Sequence, residues 1–90
     1  MLDKKVRDLL NKQVNAEFYS AYLYLDFANY YHEQGLDGFA NWYEVQAKEE
    51  RDHAMLIRTY IIDNGERMIF DAIENPTQEY DGMDAPLRLA

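Results

Sequence analysis

Gly35-Leu36-Asp37-Gly38 decides the fold of this 90-residue chain. On its N-terminal side, residues 3–34 contain neither glycine nor proline, and residues 39–64 on the other side contain none either. Uninterrupted runs of this length predict two long helices, at about 3–34 and 38–64. Asp3 is placed to cap the first. Gly35 is expected to end it in a left-handed conformation that costs glycine nothing, Asp37 to cap the second, and Gly65 to stop it. A connection this short forces antiparallel neighbours, so residues 1–65 read as an all-α, two-helix hairpin.

Residues 66–90 change character. Ile69, Phe70, Ile73 and Tyr80 are scattered without period, too apolar for a disordered tail and too irregular for a helix. They read as an extended crossover packed along the hairpin. Asp84-Ala85-Pro86-Leu87 then has an N-cap and a first-turn proline, the start of a third helix cut off after one turn.

The helices carry more apolar surface than a hairpin can hide. Eight tyrosines, four phenylalanines and one tryptophan stand in 90 residues. In the first helix Val6, Leu10, Glu17, Tyr24, Phe27, Ala28 and Tyr31 share one face. Val14, Phe18, Tyr22 and Leu25 form a second, while Asn11, Asn15 and Asp26 fall in a narrow polar stripe. A helix apolar on most sides is sandwiched between neighbours. The hairpin therefore reads as half of a four-helix bundle, completed by association.

Several function classes are excluded. A net charge of -8 does not suit a nucleic-acid backbone or an anionic membrane. The longest apolar run, Ala21 to Leu25, is far too short to span a bilayer. No export signal follows Met1-Leu2-Asp3-Lys4-Lys5, so a cytoplasmic location is expected. With no cysteine there is no disulfide, thiolate site or thiol nucleophile. Phosphate loops, nucleophile elbows and the H-E-x-x-H of metalloproteases are absent.

What remains is Glu17 together with Glu49-Glu50-Arg51-Asp52-His53. Glu17 falls mid-stripe in the first helix. Glu50 and His53, spaced i, i+3, fall mid-stripe in the second with Phe39, Tyr43, Gln46, Ala54, Ile57 and Ile61. Taken singly, each has a bland reading. Glu49 and Glu50 suit a solvated face beside Lys48 and Arg51, and a lone interior histidine is more often hydrogen-bonded than metal-bound. Taken together, titratable groups at facing positions of one hairpin predict a shared cation, because unpaired buried charge is costly. Carboxylates with one imidazole suit Fe(II), Mn(II) or Zn(II). Di-iron bundles use a Glu from each of two helices and a Glu-x-x-His from each of the other two, so this chain carries half of such a set.

At these residues the chain resembles bacterial non-haem ferritins. The resemblance rests on LLNKQVNAEFYSAYLYL (9–25), GLDGFANWYEVQAKEERDHAM (35–55), YIIDNGERMIFDAIENP (60–76) and DAPLRLA (84–90). It implies a four-helix bundle with a long crossover after the second helix, assembled into a hollow cage. It also implies ferroxidase chemistry, in which Fe(II) is oxidised by oxygen or peroxide and stored as a ferric mineral. By position, Glu17, Glu50 and His53 would ligate the first iron, with Glu50 bridging, Glu49 serving an accessory iron site and Tyr24 the nearby tyrosine. Asp52 stands where haem-binding relatives place methionine, so no haem is expected. Members are close to twice this length and bring further carboxylates on helices three and four. The second half is thus expected from an antiparallel homodimer or larger self-assembly, or from a chain supplying those helices. The competing expectation is a catalytically inactive fragment or engineered half acting as a self-assembly module.

Overall fold

The computed structural model describes residues 2–89, with the side chain of Leu89 left aside. It is an antiparallel hairpin measuring 49 × 19 × 18 Å. Helix α1 runs Lys4–Glu33 and α2 runs Asp37–Asp63. An extended crossover then returns along the hairpin to a short helix α3, Ala85–Leu89. No strand occurs among the described residues, and no helix is long and apolar enough to cross a membrane.

Both long helices end in the same way. The amide of Leu36 donates to the Tyr31 carbonyl at 2.8 Å and that of Gly35 to His32 at 3.0 Å. Glu66 and Gly65 repeat the pair with Ile61 and Ile62 at 3.2 and 2.9 Å. These are Schellman motifs, which need a left-handed residue just past the helix end. Gly35 and Gly65 supply it, at φ 74° and 75°. At the start of α1 the Asp3 carboxylate accepts from the Lys5 amide, as its position predicts. Asp37 departs from expectation. Leu36 occupies the N-cap without a side-chain cap, and Asp37 sits inside the first turn, where it meets the Nδ1 of His32 at 3.0 Å.

A heptad seam joins the helices. On α2, Ala40, Ala47, Ala54 and Ile61 recur every seven residues, all buried. On α1 Val14 and Ala28 stand two heptads apart, also buried. Alanine at these positions lets the backbones approach closely while long residues fill the gaps between them. Val14 therefore belongs to the seam, against Ala54, Ile61 and Leu10, and not to a second apolar surface. Conversely, Val6 and Phe39, expected inside, are exposed. At the hairpin's closed end an aromatic core gathers Phe27, Tyr31 and Tyr43, with Tyr24, Tyr30 and Tyr80 against it. Nearer the open end, the Val14–Ala54–Ile61 cluster forms a second core.

The crossover is held by side chains that the sequence places in the polar stripe of α1. Asn11 accepts from the Ile69 amide at 2.6 Å, and Asn15 accepts from the Asp71 amide at 2.9 Å. The Asn15 amide group donates back to the Ile69 carbonyl at 3.0 Å. Two amides one turn apart thus pair with alternate residues of an extended chain, much as a neighbouring strand would. Further along, Tyr80 donates to Asp26 and Tyr31 to the Met83 carbonyl.

Candidate metal centre

Between the two cores the seam changes chemistry. Glu17 lies one heptad from Tyr24 on α1, and Glu50 one heptad from Tyr43 and from Ile57 on α2. Seam positions of this type are ordinarily apolar, since they face the partner helix away from water. Here two carboxylates face each other across the hairpin. With His53, one turn on from Glu50, they offer ligand atoms that all lie within 4.8 Å of one another. Two ligands each about 2.1 Å from one ion stand at most about 4.2 Å apart, so a slight contraction closes the group on a cation.

Glu17 bears the sharpest sign of something required there. Its Oε1 accepts from Gln13 Nε2 at 2.7 Å, which fixes the side chain. Its Oε2 is buried and has no hydrogen-bond partner. An orphaned buried acceptor costs about 1–3 kcal/mol, and more when it carries charge. A cation bound between the carboxylates removes that cost and their mutual repulsion together. The donor set of two carboxylates and one imidazole fits a divalent transition metal.

Glu17 and Glu50 are half-buried and His53 is exposed, so the group opens on one side of the hairpin. That depth differs from the sequence expectation, which puts His53 level with the carboxylates. Glu49 is exposed and stands outside the three-residue group. Asp52 is exposed and paired with Lys48 and Arg51 at 3.8 and 3.6 Å. Tyr24 lies in the next aromatic layer, its ring 5.7 Å from Tyr43 and 5.9 Å from Phe27. Helical side chains lean toward their own N-terminus, so Tyr24 leans toward the Glu17 layer and Tyr43 away from it. Burial pushes the phenols of Tyr43 and Tyr31 up from their usual range, which keeps both neutral. Gln13 has no role in the sequence reading, although its i, i+4 spacing to Glu17 is the available signal.

This fold and side-chain group define a half-bundle of the carboxylate-histidine class. The ferritin-like domain family model matches residues 7–90, and the chain belongs to that family. A bacterial non-heme ferritin of Staphylococcus epidermidis is 46% identical over 80 residues, 89% of this chain and 48% of its own length. A probable bacterial non-heme ferritin-like protein of Haemophilus influenzae is 41% identical over the same shares. Among solved structures, an open pore ferritin from Archaeoglobus fulgidus superposes at TM-score 0.93 with 42% identity, covering 99% of this chain and 55% of that one. Chlorobium tepidum ferritin gives 0.95 at 34% identity over 100% and 55%. The chain spans about half the length of the curated relatives it matches.

Proposed function

We propose that the chain binds Fe(II) through Glu17, Glu50 and His53 and oxidises it with dioxygen or peroxide, as an iron-handling ferritin without haem. The observation that carries this reading is the meeting of those three side chains in an apolar seam with Glu17 Oε2 left unpartnered. An inert self-assembly module needs no such carboxylate pair, and apolar residues at both positions would stabilise it better.

Iron is the substrate here. Two Fe(II) give up one electron each, which with two protons reduces dioxygen to hydrogen peroxide, or peroxide to two waters. Glu17 and Glu50 neutralise the cation and favour the higher charge of the ferric product. His53 completes the first position, and Glu50, between the helices, is the residue able to reach a second. Gln13 holds Glu17 in place. Glu49, exposed beside Glu50, meets iron on its way in or out. Tyr24 lines the inner side as a nearby electron donor.

The second iron needs another Glu and another Glu-x-x-His. A second hairpin docked about a two-fold axis supplies both by symmetry. Helices three and four of a longer or separate chain would do the same. Mineral storage follows only where such units close into a shell.

Stopped-flow mixing of Fe(II) with oxygenated protein tests the reading. Oxidation should show a fast phase saturating at about two iron per four helices, and Glu50→Ala should abolish it. An unchanged fast phase in that variant would sink the assignment. Zn(II), which has no redox chemistry, should raise the melting temperature of the unmodified protein and not of Glu50→Ala, because a ligand bound only to the folded state stabilises by mass action.

A further inference from the structure

Tyr80 stands on the crossover, outside every motif that the metal centre uses. Its half-buried hydroxyl donates to Asp26 Oδ2 at 2.5 Å. Among the described residues it is the one tyrosine hydroxyl bonded to a carboxylate, whereas that of Tyr31 meets a backbone carbonyl. A carbonyl accepts a hydrogen bond but not a proton, whereas a carboxylate accepts either. The distinction matters because a phenol that loses an electron becomes a strong acid. Its oxidation is easier where a base already waits on the hydroxyl.

The ring of Tyr80 is also connected inward. It packs edge-on against Phe27 at 5.7 Å, and Phe27 lies 5.9 Å from Tyr24, the tyrosine that leans toward the Glu17 layer. Tyr30 backs it at 4.9 Å. Burial, together with the Asp26 charge, pushes the Tyr80 phenol far above its usual range, so the resting group is the protonated phenol facing a carboxylate.

We propose that Tyr80 is a redox-active tyrosine that supplies one electron to the oxidant at the metal centre while its proton passes to Asp26. This rests on the iron-oxidation reading above. In the step, the Tyr80 O–H bond breaks and a new O–H bond forms on Asp26 Oδ2. The electron moves by way of Phe27 and Tyr24 to the dioxygen or peroxide being reduced, leaving a neutral tyrosyl radical. A further Fe(II) restores the phenol by giving one electron, becoming Fe(III), as the proton returns from Asp26. Such a donor adds a third electron to the two that two irons give, and another Fe(II) supplies the fourth, so that four electrons and four protons take dioxygen to two waters.

The test has two arms on the full chain. In the first, Fe(II)-loaded protein is mixed with dioxygen, freeze-quenched and studied by electron paramagnetic resonance. In the second, iron-free protein is oxidised by a ruthenium polypyridyl photo-oxidant with a sacrificial quencher. Both should yield a neutral tyrosyl signal whose main component, with the hyperfine pattern of Tyr80, is lost in Tyr80→Phe. Asp26→Asn keeps an acceptor oxygen but no base and should also lose it, and Asp26→Glu should restore it. Near-UV circular dichroism checks that the aromatic core stays packed in each variant. A full signal in Tyr80→Phe overturns the proposal, and a full signal in Asp26→Asn overturns the proton transfer. If no Fe(II) is oxidised in the first arm, the metal-centre reading falls by itself. The iron-free arm then still decides Tyr80, where a yield indifferent to Tyr80→Phe overturns its role.

Discussion

His32 ends α1 with both ring nitrogens committed. Nδ1 meets Asp37 at 3.0 Å and Nε2 meets Glu44 at 3.5 Å, so one imidazole bridges to the first two turns of α2. Only the imidazolium can donate to both carboxylates. The hydrogen bond to Asp37, reinforced by Glu44, raises the His32 pKa from its usual value of 6.5. Below 6.5 the group is charged in folded and unfolded chains alike, and its contribution is present in full. As the pH rises through the raised folded-state value, that contribution is lost. The melting-temperature difference between the unmodified protein and His32→Gln should therefore shrink across that interval, with the His32 imidazole titration by NMR setting its position. Two glycines three residues apart should answer alanine in opposite ways. Gly35, at φ 74°, should cost about 1–2 kcal/mol on Gly35→Ala because a Cβ crowds the left-handed backbone. Gly38 lies inside α2 with nothing within 4 Å of the place a methyl would take, so Gly38→Ala should gain about 0.4–1 kcal/mol. Urea melts of the two variants check both signs.

At the scale of elements, the crossover behaves as though it were paired to a strand although none is there. The amides of Ile69 and Asp71 are bonded to Asn11 and Asn15. Hydrogen exchange should show these two protected and Phe70 between them fast. Asn15→Ala should release the Asp71 amide and cost about 1 kcal/mol, the net worth of such a bond. Uniform fast exchange over residues 68–72 would contradict the clamp. None of this is legible in the sequence. Asparagine on a polar stripe looks like solvated surface, and its partner lies 54 or more positions away. The hairpin itself is legible, because glycine at 35 has a local cause that does not wait on tertiary contacts. The seam is legible only in part. Ala40 and Ala47 carry too little hydropathy to announce a buried stripe, so Val14 groups by sequence with its more apolar neighbours. Glu17, Glu50 and His53 stand out because charge on an apolar face is conspicuous. Tyr80 does not, because a tyrosine in an aperiodic stretch says nothing about where its hydroxyl goes.

The whole molecule leaves large side chains in water, among them Leu56 at 70% exposure, Leu9 at 65% and Trp42 at 54%. Large apolar side chains left this exposed suit an interface better than a free face. His53 stands one turn from Leu56 on α2, so a partner that covers Leu56 would also close over the proposed metal centre. Stability should then depend on protein concentration. A melting temperature that rises with concentration, in step with a mass increase by light scattering, is the expected outcome. A well-folded monomer with a concentration-independent melt would be incompatible with completion by association.

The asparagine clamp also sets a rule for length. One helical turn from Asn11 to Asn15 advances about 6.0 Å, while two residues of extended chain advance about 6.6 Å. The two rulings agree over one interval and then drift apart like a vernier. A third tooth on α1 would fall at position 19, where the chain has Tyr19. Register is therefore locked over residues 67–71 and left free until Tyr80 meets Asp26. An insertion or deletion between 72 and 79 can be absorbed as slack, whereas one between 67 and 71 breaks the pairing with Asn11 or Asn15 outright.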